Sequence, residues 1–414
     1  MGIPGANDRV IIRACLVLGM VCILTINRVQ CVPVGARRLL AGETVFDVVK
    51  NFGAKGDGRT DNTDSINTGW NKVCKTVTGP ARLVIPPGNY VAGELVWQGP
   101  CTAKPMTVEI QGNLLATSDP SAYQGKAWIS VERVDDVIVT GGGTINGRGK
   151  AMWQYANDES HLPTSFQFQT VGFGKLYNIN FLDSMGFHTK VTDSHDVLVW
   201  NLTITAPATS PNTDGIHVSS TTNLNITDLV VGTGDDCVSI GHGCKNVLVA
   251  RVFCGPGHGL SIGSLGKRPD ETDLGQITII NCTLTGTTNG ARIKTYHSSP
   301  KMQATGIYFQ DIVMDQVRNP IIIDQHYHSK SNSKAVPSSV KISDVHFRNI
   351  KGTTPSPTSV TLNCSSAFPC EGIELADINL QPLGNVVSLN SVCSNAKVSV
   401  VRGGLNTAGL SGCV

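Results

Sequence analysis

Four short polar clusters between Asn212 and Lys294 carry the side chains best suited to chemistry. They are Asn212-Thr213-Asp214-Gly215, Gly234-Asp235-Asp236, Gly257-His258-Gly259 and Arg292-Ile293-Lys294, and the first three each run into a short apolar stretch. Asp214 and Asp236 lie 22 residues apart, and Asp236 and His258 are again 22 apart. Three carboxylates, an imidazole and two cations held in constant phase make an acid–base hydrolytic set. Hydrolysis of a glycosidic bond needs one carboxyl protonated, to donate to the leaving oxygen, and a second to activate water. Like charges at close range push one pKa up and so supply the acid. Arg292 and Lys294 suit a substrate that is itself a carboxylate polymer. Taken singly, each residue has a plainer explanation. An aspartate in a turn commonly satisfies backbone N–H groups, His258 reads equally as a loop histidine, and Lys294 as a solvated charge. The tandem Asp235-Asp236 facing a third carboxylate is harder to explain structurally, because the repulsion it creates tends to mark function.

A repeating chain is needed to hold such clusters in phase, and the sequence contains one. Apolar residues recur at offsets 0, 2, 5 and 7 in copies opening at Val197, Leu224, Val247, Ile277, Ile307, Val340 and Ile373, with a degraded copy from Gly174. Alternation, a break and renewed alternation mean two short strands joined by a bend. A repeat of 23 to 33 residues without a helical stretch is the mark of a solenoid. The fold predicted is all-β, a single-stranded right-handed parallel β-helix with neighbouring turns about 4.8 Å apart. A propeller would require hairpin turns every few residues, and these are missing. Second strands over Gly215–Val218, Cys237–Ile240, Gly259–Ile262, Ala291–Thr295 and Pro320–Asp324 carry the polar column. Arg292 and Lys294, two residues apart, point to one face. Upstream, strands are expected over Val45–Val49, Leu83–Ile85, Tyr90–Trp97 and Val108–Leu115. A helix over Thr60–Cys74, capped by Asp61 or Thr63, closes the open end of the stack.

Composition bounds the setting. The 414 residues carry 33 Lys and Arg against 31 Asp and Glu, a net charge of +2, so no global field points to nucleic acid or a membrane surface. Residues 1–36 read as a secretory signal: Arg9 and Arg13 precede an apolar run from Ala14 to Ile26 that is too short to span a bilayer comfortably. The mature chain is then 37–414, without a membrane segment. Of 13 cysteines, Cys15, Cys22 and Cys31 leave with the signal, and the remaining even set suits disulfides in an oxidising compartment. No CxxC pair occurs, and no metal or other cofactor is expected. Asn201, Asn225, Asn281 and Asn363 are glycosylation sequons.

The four clusters, in this order, resemble the motif set of the polygalacturonases, glycoside hydrolase family 28, and plant enzymes of the exo-acting pollen type most of all. Phe52-Gly53-Ala54-Lys55-Gly56-Asp57-Gly58 and Cys254-Gly255-Pro256-Gly257-His258-Gly259 extend the likeness, which runs from about Phe46 to Cys413. The resemblance implies a secreted, wall-located, monomeric enzyme that cleaves α-1,4-linked galacturonate in pectin or polygalacturonate with inversion. Asp235 would be the general acid, and Asp214 and Asp236 would hold and activate water. His258 would tune the acid, while Arg292, Lys294, Tyr327 and Asn212 would bind substrate. It also implies a Cys237–Cys254 bridge; Cys364–Cys370, Cys393–Cys413 and Cys74–Cys101 follow as further pairs, with Cys244 and Cys282 left open. Two departures stand out. Inverting enzymes usually hold their carboxyls about 6.5–9.5 Å apart, wider than adjacent turns of a solenoid. Ser184-Met185-Gly186-Phe187-His188 lacks the proline common before the aromatic–His pair, which leaves the role of His188 open. A pectate-lyase-like β-helix, which needs a calcium site and an arginine base, and a wall-binding β-helix without activity are the alternatives. Chelator resistance and a reducing-sugar assay separate them.

Overall fold

The computed structural model describes residues 20–25, 28–33 and 42–413, apart from 126, 157–161, 298, 328–335, 403–409 and 411–412. Most of the expected signal segment lies outside the described residues. Within the unit Met1–Glu43, Met20–Thr25 pairs antiparallel with Arg28–Pro33. Among the described residues no helix is long and apolar enough to cross a membrane.

The unit Thr44–Val414 is built on two long sheets, of 11 and 18 strands, in which successive turns pair in parallel. This is the predicted parallel β-helix. The apolar offsets become its core: Val197, Val199, Leu202 and Ile204 stack on Leu224, Ile226, Leu229 and Val231, and these on Val247, Val249, Val252 and Cys254. All are buried, and each large aliphatic among them contributes about 1.5–3 kcal/mol relative to exposure. Two strands and a bend occur in the Ile277 copy, as Leu274–Ile280 and Thr283–Thr285, but other copies run as one strand, such as His195–Thr205 or Thr222–Gly232. The break is a single left-handed residue at the fifth place of each copy: Asn201, Asp228, Arg251, Asn281, Asp311, Asn349 and Asp377, with φ between +47° and +57°. Asn and Asp tolerate this region best. Arg251 is held there by a bidentate pair with Asp228 of the previous turn, at 2.6 and 2.7 Å.

One copy takes a different phase from the one its apolar offsets predict. Val345, not Val340, pairs with Ile307, and Phe347, Ile350 and Gly352 follow against Phe309, Ile312 and Met314. The steps are therefore 38 and 28 residues rather than two of 33. The strand Val340–Thr354 contains two left-handed residues, Asp344 and Asn349, so its sequence satisfies the offsets in two phases.

The N-terminal cap is a helix over Thr63–Thr76 that buries Ile66, Trp70, Val73 and Cys74; Trp70 stacks on Trp97 at 5.7 Å. It starts later than expected because Thr60 and Asp61 belong to the strand Asp57–Asp61. Asn62 sits at the cap position, but its side chain ties Lys55 and Thr60 instead. The strand expected over Val45–Val49 stops at Asp47, whose carboxylate accepts from Val49 N and Lys50 N and opens a short helix, Val48–Phe52. The stretch 90–97 is two strands, Asn89–Ala92 and Leu95–Gln98, lying in different sheets. The stretch 108–115 also divides, into Ala103–Ile110 and Asn113–Ala116, both in the 18-stranded sheet. Bridges join Cys74 to Cys101, Cys237 to Cys254, Cys364 to Cys370 and Cys393 to Cys413, while Cys244 and Cys282 are free and buried. Asn201, Asn225 and Asn281 are exposed; Asn363 is half-buried and accepts from Ser394 Oγ at 3.2 Å.

Candidate active site

The site lies on the outer face of the 11-stranded sheet. There Lys190, His217, Ser239, Ser261 and Arg292 form one column of facing residues on successive turns. The first three clusters sit just ahead of these strands, where loops pack tightly, and the fourth lies within the strand Asn289–Tyr296. A Cβ on Gly234 would lie 2.0 Å from Ser210 O, and one on Gly259, at φ +93°, 2.0 Å from Asn289 O, so only glycine fits either place. Asn212 takes a left-handed turn at φ +50° that leads into Asp214.

The three aspartates have different surroundings. Asp236 is fully buried. Its Oδ1 accepts from Ser261 Oγ at 2.9 Å and Arg292 Nη2 at 2.5 Å, and its Oδ2 from Lys294 Nζ at 2.8 Å. Burial pushes this carboxyl up, but the charges of Arg292 and Lys294 outweigh it and hold the pKa below the ordinary value. Asp214 is also buried and accepts from Ser239 Oγ at 2.8 Å. Burial, and then the charges of Asp235 and Asp236, raise it well above the ordinary value. Asp235 keeps a fifth of its side chain exposed, and its Oδ1 accepts from Asp236 N at 2.8 Å and from His258 Nδ1 at 2.9 Å. His258 is thus a partner of Asp235, and its backbone N–H also donates to Asp235 O. The carboxyl that like-charge repulsion raises is Asp214, while the one open to solvent is Asp235.

Arg292 and Lys294 are buried against Asp236 rather than projecting freely, and Arg292 Nε also donates to Ser261 Oγ at 2.9 Å. Lys294 Nζ lies 5.1 Å from the centre of the Tyr327 ring, which meets Tyr296 edge-on at 5.5 Å, and Lys267 Nζ lies over Tyr296 at 5.9 Å. Tyr296 and Lys267 were not singled out from sequence. No motif marks them; strand pairing sets Tyr296 beside Tyr327, and Lys267 reaches Tyr296 from just after the strand Leu260–Leu265.

Two histidines complete the site. His188 is fully buried; its Nε2 accepts from Ser184 N at 3.3 Å and its Nδ1 donates to the carbonyls of Thr213 and Asp214 at 3.2 Å. Burial holds it down to about 4, a neutral brace on the Asp214 backbone. His217 stacks on Phe187 at 4.9 Å and places Nδ1 2.8 Å from Ser239 Oγ.

Donor atoms of Asp235, Asp236 and His258 lie within 4.8 Å of one another, close enough to share a cation. Both Asp236 oxygens, however, already accept from Arg292 and Lys294, and a divalent ion would meet those two fixed charges at once. The arrangement suits proton transfer beside an anionic ligand better than metal binding.

Comparison with known proteins bears on the family and the fold. The profile of the glycosyl hydrolases family 28 matches residues 74–402. The chain belongs to this family. An exopolygalacturonase of Arabidopsis thaliana is 41% identical over 382 residues, covering 88% of each chain. One of Platanus acerifolia is 39% identical over 87% of this chain and 96% of its own. In three dimensions the chain is similar to the endo-xylogalacturonan hydrolase of Aspergillus tubingensis, with a TM-score of 0.76 at 23% identity over 87% of this chain and all of that one. The fold described above is thus shared with a solved hydrolase structure.

Proposed function

We propose that the protein is a secreted polygalacturonase that hydrolyses α-1,4-linked galacturonate in pectin or polygalacturonate from the chain end, with inversion. One observation carries the reading: of three clustered carboxyls, Asp235 alone reaches solvent, while Asp236 is held ionised by two cations and Asp214 is buried beside it. The acid must touch the glycosidic oxygen, so Asp235 donates the proton and His258, bonded to it, tunes the donor. Asp214 and Asp236 hold the water. Lys294, Arg292 and Tyr327 offer a cationic and aromatic edge to the sugar carboxylate, with Asn212 at the rim. The exo mode rests on the relatives that carry that name. Residues 1–36 act as a cleaved signal, and the mature enzyme works in the cell wall as a monomer, with neither nucleic acid nor membrane as partner. Chromatography of early products from polygalacturonate tests the proposal. Monomer alone is expected, a ladder of oligomers would overturn the exo mode, and absence of new reducing ends would overturn the hydrolase.

A further inference from the structure

We infer that His217 is a positioning residue: it donates from Nδ1 to Ser239 Oγ, aims the Ser239 proton at Asp214, and so keeps that carboxylate ionised and in one orientation. The inference rests on Asp214 acting on water, as proposed above. Its starting point is proton accounting. Ser239 has one proton, and its oxygen lies 2.8 Å from Asp214 Oδ2 and 2.8 Å from His217 Nδ1. An ionised carboxylate only accepts, so the proton points to Asp214 and Nδ1 must carry its own. The reverse relay, in which Asp214 is protonated and donates to Ser239, which donates to a bare Nδ1, uses the same distances. The relay therefore couples the His217 tautomer to the ionisation of Asp214.

The surrounding charges make this coupling matter. Facing Asp214 are Asp235 and Asp236, which raise its pKa, and Lys294 and the Ser239 hydroxyl, which lower it. Facing His217 are Lys190, Lys294 and His242, which disfavour an imidazolium, and Asp236, which favours it. Burial and these cations hold His217 down to about 3, so it works as a neutral donor throughout the acid range. Asp236 has two cations paired directly with it, whereas Asp214, besides the through-space charge of Lys294, has one directed hydroxyl whose direction depends on His217. Phe187, stacked on the imidazole at an interplanar angle of 29°, fixes the ring plane. Neither His217 nor Ser239 belongs to the four polar clusters.

Two replacements separate this role from simple packing. His217→Phe keeps a ring against Phe187 and removes the donor. His217→Asn loses the ring but can place an amide N–H where Nδ1 stood. The expected result is that His217→Phe and Ser239→Ala move the acidic limb of the kcat/KM profile on polygalacturonate up by about one to two pH units, the worth of a hydrogen bond to a charged group. KM at high pH stays within about twofold, and His217→Asn restores the wild-type limb. Packing alone predicts the opposite order, with Phe tolerated and Asn impaired. The reverse relay predicts that the limb moves down. Either outcome overturns the inference, as does an unmoved limb. Isotope-edited infrared titration of the carboxyls, with Asp214→Asn marking the band, reads the same shift without turnover. If the wild type fails to cleave polygalacturonate, the hydrolase reading falls and the infrared titration alone judges the relay.

Discussion

Asp214 and Asp236 occupy equivalent places on adjacent turns, yet they are held by opposite means. Asp236 meets two cations and a serine; Asp214 meets a serine backed by a neutral histidine. The strand after Asp236 is pinned by Cys237–Cys254, while the backbone at Asp214 is pinned by His188. One carboxyl is held below its ordinary pKa and the other is raised. Residue type and fold position are the same in both cases, so the neighbours on the next strands decide the chemistry.

The largest expected effect falls on the group both carboxylates serve. Asp235→Asn should lower turnover by about two to four orders of magnitude while the circular dichroism stays unchanged; a variant that keeps a tenth of wild-type activity would sink the assignment. Next comes the covalent pin. Removing Cys237–Cys254, which closes a 17-residue separation, should cost about 3 kcal/mol in denaturant unfolding, and a loss below about 1 kcal/mol would show that the Asp236 side does not depend on it. Third, Lys294→Ala should weaken binding or turnover by roughly ten- to a hundredfold. The loss should be large on polygalacturonate and small on fully methyl-esterified pectin, and raised salt should affect the wild type more than the variant. Equal cleavage of neutral galactan by the wild type would remove the charge argument.

The smallest effect is a difference in acid stability. His188 and His217 are held near 4 and 3, below the unfolded value of about 6.5. Between these limits the unfolded chain binds the extra protons, so stability rises with pH and is lost as pH falls below about 6.5. The slope is at most about 1.4 kcal/mol per pH unit for each histidine. His217→Asn, which keeps the donor but not the titration, should lose less stability between pH 7 and pH 5 than the wild type. Parallel curves from chemical denaturation would show that His217 does not contribute.

Equal spacing made the column of Asp214, Asp236 and His258 legible before any coordinates, because equal spacing in a repeat is equal phase. The engagement of Asp236 by Arg292 and Lys294 was not legible. It spans 56 and 58 residues and depends on the pairing of Ser261 with Arg292 across turns of unequal length. Ser239 looked like one polar letter in an apolar strand, and only its distance to Asp214 gives it meaning. Val48 and Val49 read as strand because both are β-branched; the Asp47 carboxylate at the strand's end accepts from two backbone amides and turns them into a helix instead. The copy at Val340 failed for a different reason, since two phases fit the same apolar pattern.

That ambiguity gives the strand Val340–Thr354 a place in how the solenoid assembles. A parallel β-helix stacks its layers like a crystal, and a layer set five residues out of phase would be a stacking fault that keeps the core apolar. Here the fault would oppose Asp344 to Asp311, two carboxylates side by side. The native phase instead lets Asn349 donate to Asp311 at 2.6 Å and seats Gly352 against Met314, where a Cβ would come within 1.7 Å of the Met314 carbonyl. One amide in place of a carboxylate, and one missing methyl group, both favour the native phase over the fault.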